Sequence, residues 1–540
     1  MARNKVFSRV GGNSPRRSVF DLSYEKKFTC DFGQIIPVMC DEVVPGDRFL
    51  IGAQIAARFQ PLVSPIMHEC NIYYYAYFVP YRILMEKWVE FITENTKEGD
   101  PKPDLPYWIP TKNGLNTLWD YMGFPVGIDP VGAYPLDFPR RAYNMVWNEY
   151  FRDQFLQDEV PLDNEDILFR SWEKDYFTSA RPSQQQGDPM AISLDGIGHV
   201  NFTGPSNTVF SISHQRSSDG VSMDFQTNQL DTGSPSQRSP VYTSNSKVGD
   251  SSNWDYINSR FFGYQLSNFL NQNDFDFSEA ATFDVNELRR LFSIQKWKER
   301  NMRSGVRYTE FLRSHFGVAP RDERLQRPEY IGGMKVPMII SEVLQTSTTQ
   351  STSDVRGVQG NMAGHGLAVD RNRIGTYNVQ EYGLIIGLLS VMPRSAYQQG
   401  INAQWRRETV YDFYFPEFRN LGEQAVRQCE LMATNDPVEN KRVFGFQGRY
   451  NEMRYKPNMV CGELRNTFNY WHLGRTFDQM SPPRLNASFI QCDSQSGGAN
   501  NPLKRIFAVG NVPGIIVTVG NLIKAIRPLP YMSEPGLIDH

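Results

Sequence analysis

The sequence predicts a mainly β fold, a sandwich or jelly roll of antiparallel strands joined by long loops. At least eight segments with the composition of strands are spread over both ends of the 540-residue chain. The few helical patterns fall in the connections, without the regular strand–helix alternation of a parallel α/β fold. Widely spaced strands with very long loops favour a sandwich or jelly roll instead.

The N-terminal segment, residues 1–27, carries seven Lys or Arg against two acids. Gly11, Gly12 and Pro15 interrupt any helix in this segment. We therefore expect residues 1–27 to be a flexible basic arm.

Three strand segments follow the arm, each with β-branched or aromatic residues. Turn sequences such as Pro45-Gly46-Asp47 separate them. Residues 72–79 (IYYYAYFV) have no polar side, which predicts a strand covered on both faces. The three segments are residues 28–39, 49–59 and 70–80.

Two helical patterns come next. The first follows Pro80, where Leu84, Trp88 and Phe91 recur at i, i+4 and i+7. The second has an apolar stripe within residues 143–151. A membrane-binding or partner-binding role is the alternative for both stripes, but we expect them to pack on the core.

A long polar segment interrupts the fold after residue 180. Residues 181–255 contain neither Glu nor Cys, and they are dominated by Ser, Thr, Asn, Gln, Gly and Asp. Their apolar residues are isolated or in short pairs. We expect an insertion with a few weak strands that stands out from the main fold.

The second half returns to helices and then to strands. Asp284 and Glu287 have the spacing of an N-cap and an N3 residue, which predicts a helix that ends near Gly305. A shorter helix ends at Gly317. A second polar loop, residues 346–372, separates predicted strands at residues 335–344, 382–392, 410–415, 485–491 and 515–519.

These patterns divide the chain into five parts. They are the basic arm (1–27), the first part of the β fold with helical loops (28–180), the polar surface insertion (181–283), helices with the remaining strands (284–526), and a proline-containing extended tail (527–540).

Composition excludes several classes of protein. The net charge of −3 excludes a histone-like DNA coat and an acidic disordered chain. No run of 18 apolar residues and no apolar signal core occur, so we expect no transmembrane helix and synthesis in a cytoplasm. The six cysteines form no C-x-x-C pair, and we expect reduced, mostly buried thiols.

No catalytic constellation is evident, and we expect no catalytic residue, metal site or cofactor. The chain lacks a P-loop, a nucleophile elbow, a zincin motif and a complete dinucleotide fingerprint. No two of the seven histidines lie within four residues. The pairs His68-Glu69 and Asp274/Asp276 are acid–base or cation candidates, although a hydrogen-bonded structural role fits them better.

Four basic residues follow one stripe of the helix predicted after Asp284, at i, i+7, i+11 and i+14. They are Arg289, Lys296, Arg300 and Arg303. Such a stripe is suited to the phosphates of single-stranded DNA, with Trp297 or Tyr308 available for base stacking. A solvated helix face with salt bridges is the alternative.

A set of short blocks covers nearly the whole chain outside the insertion. They are residues 17–23 (RSVFDLS), 36–38 (IPV), 42–47 (EVVPGD), 65–68 (PIMH), 78–84 (FVPYRIL), 147–154 (WNEYFRDQ), 175–179 (DYFTS), 312–318 (LRSHFGV), 325–330 (LQRPEY), 449–450 (RY), 454–457 (RYKP), 471–473 (WHL) and 535–540 (PGLIDH). With these blocks the sequence resembles the major capsid proteins of the Microviridae, in particular the gokushovirus branch (VP1/F-like). Tyr24 departs from the histidine common in relatives, and residues 181–255 align with nothing, as expected for the variable protrusion of this branch.

The resemblance implies an eight-stranded antiparallel jelly roll of the viral capsid type, with long loop insertions and a few helices. It implies a structural protein, not an enzyme, that forms a T=1 icosahedral shell of sixty copies around circular single-stranded DNA. The implied partners are further copies of the chain, the genome, an internal scaffolding protein, a small basic DNA-packing protein, a minor pilot protein and a host receptor for the insertion. The expected location is the virion, assembled in the cytoplasm of a bacterial host.

Within such a shell, two groups of residues are expected to make contacts outside the subunit. The basic residues of the arm, together with the helix stripe, are expected to contact DNA, and the apolar pair Leu537 and Ile538 is expected to anchor the tail on a neighbouring subunit. The arm residues are Arg3, Lys5, Arg9, Arg16 and Arg17.

Two other classes of function are compatible with polar loops and abundant Tyr and Trp. One is a carbohydrate-binding or glycan-hydrolysing β protein, and the other is a receptor-binding spike. Closed particles in sedimentation or negative-stain microscopy distinguish a capsid protein from both.

Overall fold

The computed structural model describes residues 16–93, 103–187, 211–215, 222–226, 285–305, 307–318, 321–342, 364–496, 498 and 501–532. It is mainly β, with antiparallel sheets and a few helices. The chain divides into two compact units, Met1–Asp188 with Lys296–His540, and Pro189–Gln295.

Thirteen strands are present in the described residues. They are β1 (Ser18–Asp21), β2 (Tyr24–Cys30), β3 (Ile36–Val43), β4 (Arg48–Phe59), β5 (Cys70–Pro80), β6 (Ser211–Gln215), β7 (Ser222–Gln226), β8 (Glu329–Glu342), β9 (Gly364–Asn378), β10 (Gly383–Pro393), β11 (Glu423–Arg427), β12 (Val443–Gly448) and β13 (Ile515–Arg527).

The helices of the described residues are mostly short and lie between strands. They are α1 (Tyr81–Leu84), α2 (Trp88–Thr93), α3 (Leu118–Met122), α4 (Phe138–Val146, continued by a π-helical turn at Trp147–Phe151), α5 (Val285–Ser304), α6 (Tyr308–Phe316), α7 (Gln428–Leu431), α8 (Pro437–Lys441), α9 (Asn451–Arg454) and α10 (Ala487–Ile490).

One antiparallel sheet dominates the larger unit, with strand order β1-β13-β4-β9-β8-β5-β10-β3 and with β2 also paired to β13. It consists of two halves that share the β8–β9 pairing at Ile339–Glu342. We call strands β2, β13, β4 and β9, with β1 beside β13, the open half. Strands β3, β10, β5 and β8 are the covered half.

The two halves face each other across a common core. One hydrophobic cluster contains buried side chains from strands of both halves. Phe78 on β5 stacks on Tyr377 of β9, with 4.8 Å between the ring centroids. The buried Asn521 on β13 accepts a hydrogen bond from the hydroxyl of Tyr74 (3.1 Å) and donates one to the carbonyl of Val38 (2.9 Å). Apolar packing and a satisfied polar bridge therefore join the halves.

The outer faces of the halves differ. Every residue of β10 is buried, and so is every residue of β5 except Tyr75, because a second cluster of α1, α3 and α4 side chains packs outside them. This confirms the prediction of a strand covered on both faces. In β4 and β13, by contrast, buried and accessible residues alternate, as in a sheet with one face in water.

The predicted strands at residues 49–59, 70–80, 335–344, 382–392 and 515–519 are confirmed in position, the last continuing to Arg527. Residues 28–39 form two strands rather than one, because the chain turns at Gly33 with φ of +80°. The helices that end near Gly305 and Gly317 are confirmed.

Two predicted strands are wrong. Residues 410–415 contain a 3₁₀ turn, Val410–Asp412, because the Asp412 carboxylate accepts the Thr409 N–H (2.8 Å) in a capping box. Residues 485–491 contain α10, because the side chain of Asn486 accepts the N–H of Phe489 (2.9 Å) and caps it. Local capping overrode the strand-like composition of both segments.

Two boundaries differ from expectation, and two of the weak strands expected in the insertion are present. Residues 18–27, predicted as part of a flexible arm, lie in β1 and β2 and pair with β13. The predicted polar loop 346–372 ends in β9, which begins at Gly364 and pairs with β4. In the unit Pro189–Gln295, β6 and β7 form an antiparallel pair from Ser211↔Gln226 to Gln215↔Ser222.

Candidate assembly surface and nucleic-acid interface

Among the described residues of the larger unit, a loop rich in exposed aromatic residues is the most conspicuous apolar surface. We call residues 401–421 the aromatic loop. The exposed fraction of Trp405 is 78% and that of Tyr411 is 69%, and Phe413 and Leu421 are exposed as well. Apolar side chains concentrated in this way are typical of a surface that another protein covers.

Buried ion pairs hold the base of the aromatic loop. Arg406 Nη2 lies 2.9 Å from Glu430 Oε1, and Arg407 Nη2 lies 2.7 Å from Glu452 Oε1. Both carboxylates are buried, and desolvation raises the pKa of Glu430 even though Arg406 opposes the shift. The loop is therefore tied to the fold through its arginines while its aromatic side chains point into solvent.

Backbone contacts fix the tip of the loop. Arg449 donates to the carbonyl of Tyr411 (2.7 Å), and the hydroxyl of Tyr450 donates to the carbonyl of Phe413 (2.9 Å). Sequence reasoning missed this surface because the β-branched and aromatic residues at 410–415 were interpreted as a strand. The signal that identifies it is the Thr409–Asp412 capping spacing, followed by Pro416.

The structure describes two of the five predicted basic residues of the arm. Arg16 and Arg17 are exposed and directly precede β1. Arg3, Lys5 and Arg9 lie outside the described residues.

The predicted helix stripe lies on α5, where Arg289, Lys296 and Arg300 are exposed. Arg303 differs, because its Nε lies 2.5 Å from Oε1 of the buried Glu423. Arg303 is thus held in an intramolecular ion pair, the arrangement that we considered as the alternative for the stripe.

Next to the stripe, the predicted stacking residues Trp297 and Tyr308 are both exposed. The tail residues Leu537 and Ile538 lie outside the described residues. The last part of the chain that is described leaves β13 at Arg527, and Tyr531 stacks on Phe20 of β1 with the ring centroids 6.3 Å apart.

The possible acid–base pair His68-Glu69 has structural partners. His68 Nε2 lies 2.6 Å from the carbonyl oxygen of Arg394, whose guanidinium is 2.7 Å from Glu69. Burial lowers the pKa of His68 to about 4, so the ring is neutral at pH 7. Asp274 and Asp276 lie outside the described residues.

Other candidate chemistry is absent from the part of the chain that the structure describes. No group of three or more His, Cys, Asp or Glu residues there is arranged to hold a metal ion. All six cysteines are free thiols, and four of them are buried. None of the described helices has the length and apolar character needed to cross a membrane.

Comparison with known proteins gives a consistent result over the full length. A sequence model of the family described as Capsid protein (F protein) matches residues 8–537. Capsid protein VP1 of Chlamydia phage 1 is 32% identical over 98% of this chain and 97% of the relative. Capsid proteins VP1 of Bdellovibrio phage phiMH2K (30% identical, 93% and 92% covered) and Spiroplasma virus 4 (28% identical, 99% and 98% covered) are similar too.

The matched range includes the aromatic loop, the α5 stripe and both halves of the main sheet. The relatives are structural proteins of phage particles, not enzymes. The chain therefore belongs to the capsid protein (F protein) family and is a major structural protein of a phage virion.

Proposed function

We propose that the chain forms a T=1 icosahedral shell of sixty copies around a circular single-stranded DNA genome. The observation that carries the proposal is the pairing order of the main sheet in a chain whose relatives are phage capsid proteins. Negative-stain microscopy of material purified from host cells that produce the chain together with its scaffolding protein tests it. Closed particles of one diameter are expected, and a soluble monomer or trimer would contradict the proposal.

The strand pairing supports an eight-stranded jelly roll. Working inward from the two ends of the chain, β2 pairs with β13, β3 with β10, β4 with β9, and β5 with β8. All four pairs are antiparallel. The chain therefore follows one long hairpin, with β2 to β5 in one arm and β8, β9, β10 and β13 in the other. Rolling such a hairpin produces two facing four-stranded halves, which is the jelly-roll arrangement of viral capsid domains.

The aromatic loop supports self-association. Trp405, Tyr411 and Phe413 are exposed together in the subunit, and exposure of such an apolar cluster to water is unfavourable. In a shell, contacts between copies would bury this surface. We assign this loop to a contact between neighbouring subunits.

We assign the polar insertion to the outer surface, as the protrusion that attaches to the host. A variant in which a Gly/Ser linker replaces residues 189–250 keeps the buried Gln185 and removes β6 and β7. Because the insertion has few apolar residues to add to the core, shells should form in normal yield. Adsorption to host cells should be lost. Absence of particles would mean that the insertion is structural.

The tail is assigned to a contact with a neighbouring subunit through Leu537 and Ile538. Burial of two such side chains contributes roughly 3–6 kcal/mol per subunit. Truncation after Glu534 should therefore leave soluble subunits that assemble poorly. The conservative variant Leu537→Met/Ile538→Val is the control and should assemble. Normal yield and heat resistance of the truncated particles would refute this assignment.

The arm and the α5 stripe are assigned to contacts with the genome. Because Arg303 is paired with Glu423, the stripe contacts are assigned to Arg289, Lys296 and Arg300. The variant Arg16→Gln/Arg17→Gln and a variant with Gln at all three stripe positions should both form shells. At raised salt, the affinity of these shells for DNA should be lower than that of the wild type. The log–log salt slope should fall by about 0.7 per lost phosphate contact. Unchanged slopes in both variants would exclude these residues as DNA ligands.

Further partners follow from charge and from the family. A shell of chains with net charge −3 does not neutralise the genome, so a separate small basic DNA-packing protein is expected. We extend the proposal to an internal scaffolding protein, a minor pilot protein, and assembly in the cytoplasm of the bacterial host.

A further inference from the structure

We propose that the outer face of the open half binds the phosphate backbone of single-stranded DNA. This inference rests on the proposed function and adds a binding surface to it, separate from the arm and the α5 stripe.

The open half presents one continuous face away from the core. In β4 the alternating residues from Arg48 to Arg58 are accessible, while Phe49, Ile51 and the residues that follow at every second position to Phe59 are buried. The register carries this alternation into β13, where Lys524 lies opposite Leu50, and into β9, where Arg371 lies opposite Gln54 and Arg373 opposite Gly52. The accessible positions of adjacent strands therefore lie on one side of the sheet.

Cations dominate this face. Among the described residues it carries six cations and two anions: Lys27, Arg48, Arg58, Arg371, Arg373 and Lys524, with Asp21 and Glu25. Glu25 is 3.3 Å from Lys27, and Asp21 is opposite Lys524 in the register.

Each anion of the face thus has a lysine beside it. The four arginines therefore have no anion of the face as a partner. None of them makes an ion pair within the residues that the structure describes, and Arg373 donates a hydrogen bond to the neutral hydroxyl of Thr376. All four are exposed. Unpaired arginines on a sheet face provide fixed positive charge with fork-shaped donors that suit phosphate.

Small residues lie between the arginines at the centre of the face. They are Gly52 and Ala56 on β4 and Thr518 and Gly520 on β13, next to the larger side chains of Leu50, Gln54 and Leu522. Small side chains let a polynucleotide backbone approach the sheet closely. The described positions of this face carry no aromatic side chain, so base stacking is not available there. The face is therefore suited to contacts with phosphate that ignore base sequence.

The covered half provides the contrast. Helices α1, α3 and α4 of the same subunit cover the outer faces of β5 and β10. Among the described residues no helix forms such a layer on the open half, and its first edge strand, β1, begins directly after Arg16 and Arg17. The arm thus enters the fold at this sheet. A small basic packing protein would be repelled by the same charges, which favours the DNA backbone itself as the occupant.

The test is binding of a labelled oligothymidylate to the full-length chain at a series of salt concentrations. The Gln variant changes Arg48, Arg58, Arg371 and Arg373 together. The matched control changes four exposed cations elsewhere, Lys87, Lys441, Arg454 and Lys456, to Gln and so removes the same charge. A third variant replaces the four face arginines with Lys.

The salt slope of the Gln variant should fall by about 0.7 for each lost contact, or about 3 for all four. The control and the Lys variant should keep slopes close to that of the wild type. An unchanged slope in the Gln variant overturns the inference. So does a Gln variant that binds DNA normally but no longer assembles, since the face is then a contact between subunits. Failure of the wild-type chain to form particles would instead contradict the proposed function.

Discussion

Replacing Gly33 with Ala is expected to prevent the chain from folding. Gly33 has φ of +80°, and a Cβ built there lies 1.7 Å from the carbonyl oxygen of Cys492. Its own N–H and carbonyl bind Val391 and Arg170, at 2.9 and 2.7 Å, so the turn cannot move away. A clash between two backbone segments, added to a left-handed conformation, should cost more than about 4 kcal/mol.

The matched control is Gly123→Ala. Gly123 also has positive φ (+91°), but no atom lies within 4 Å of its added Cβ. It should lose only about 1–2 kcal/mol, the cost of the left-handed conformation alone. Soluble yield and thermal melting measure both variants. Similar melting temperatures for the two would contradict the packing of β2 and β3 against Cys492.

Replacing Trp405 and Tyr411 with Ser is expected to abolish closed particles and leave the subunit folded. Both side chains are largely exposed in the subunit, so their loss should change its melting temperature little. In the shell, each loses its apolar contact with a neighbour, and aromatic anchors of this kind commonly contribute 2 kcal/mol or more at an interface. Sedimentation of the double variant measures the loss of particles.

The Trp405→Phe/Tyr411→Phe variant is the control for this contact. It keeps aromatic area and should still assemble. A Ser variant that forms particles in wild-type yield would show that the aromatic loop stays outside the subunit contacts.

Much of the β framework could be predicted from the sequence because apolar residues there follow strand periodicity over long stretches. β4 has an apolar residue at every second position from Phe49 to Phe59, and β5 is apolar on both sides, so the sequence of each strand indicates which of its faces are buried. The pairing of β4 with β9 could not be predicted. The residues of β9 around Asp370 and Arg371 are polar and do not indicate a strand by themselves. Their strand conformation depends on pairing with β4.

The candidate surfaces were less accessible to sequence reasoning. The α5 stripe was recognisable from spacing, but the ion pair of Arg303 with Glu423 joins residues 120 positions apart, and spacing does not report such a pair. The arginines of the open half come from strands that are far apart in the chain, so their convergence required the register. The aromatic loop was not recognised because capping at Thr409 replaces the strand that its β-branched and aromatic residues indicated.

The mass of intact particles built from this chain tests the central proposal most directly. Sixty copies of a 62.0 kDa chain give about 3.7 MDa of shell protein. Charge-detection mass spectrometry of empty particles should show one population near that mass, and averaged electron micrographs should show icosahedral symmetry. A population of small oligomers, or closed particles whose protein mass corresponds to a different copy number, would contradict the account.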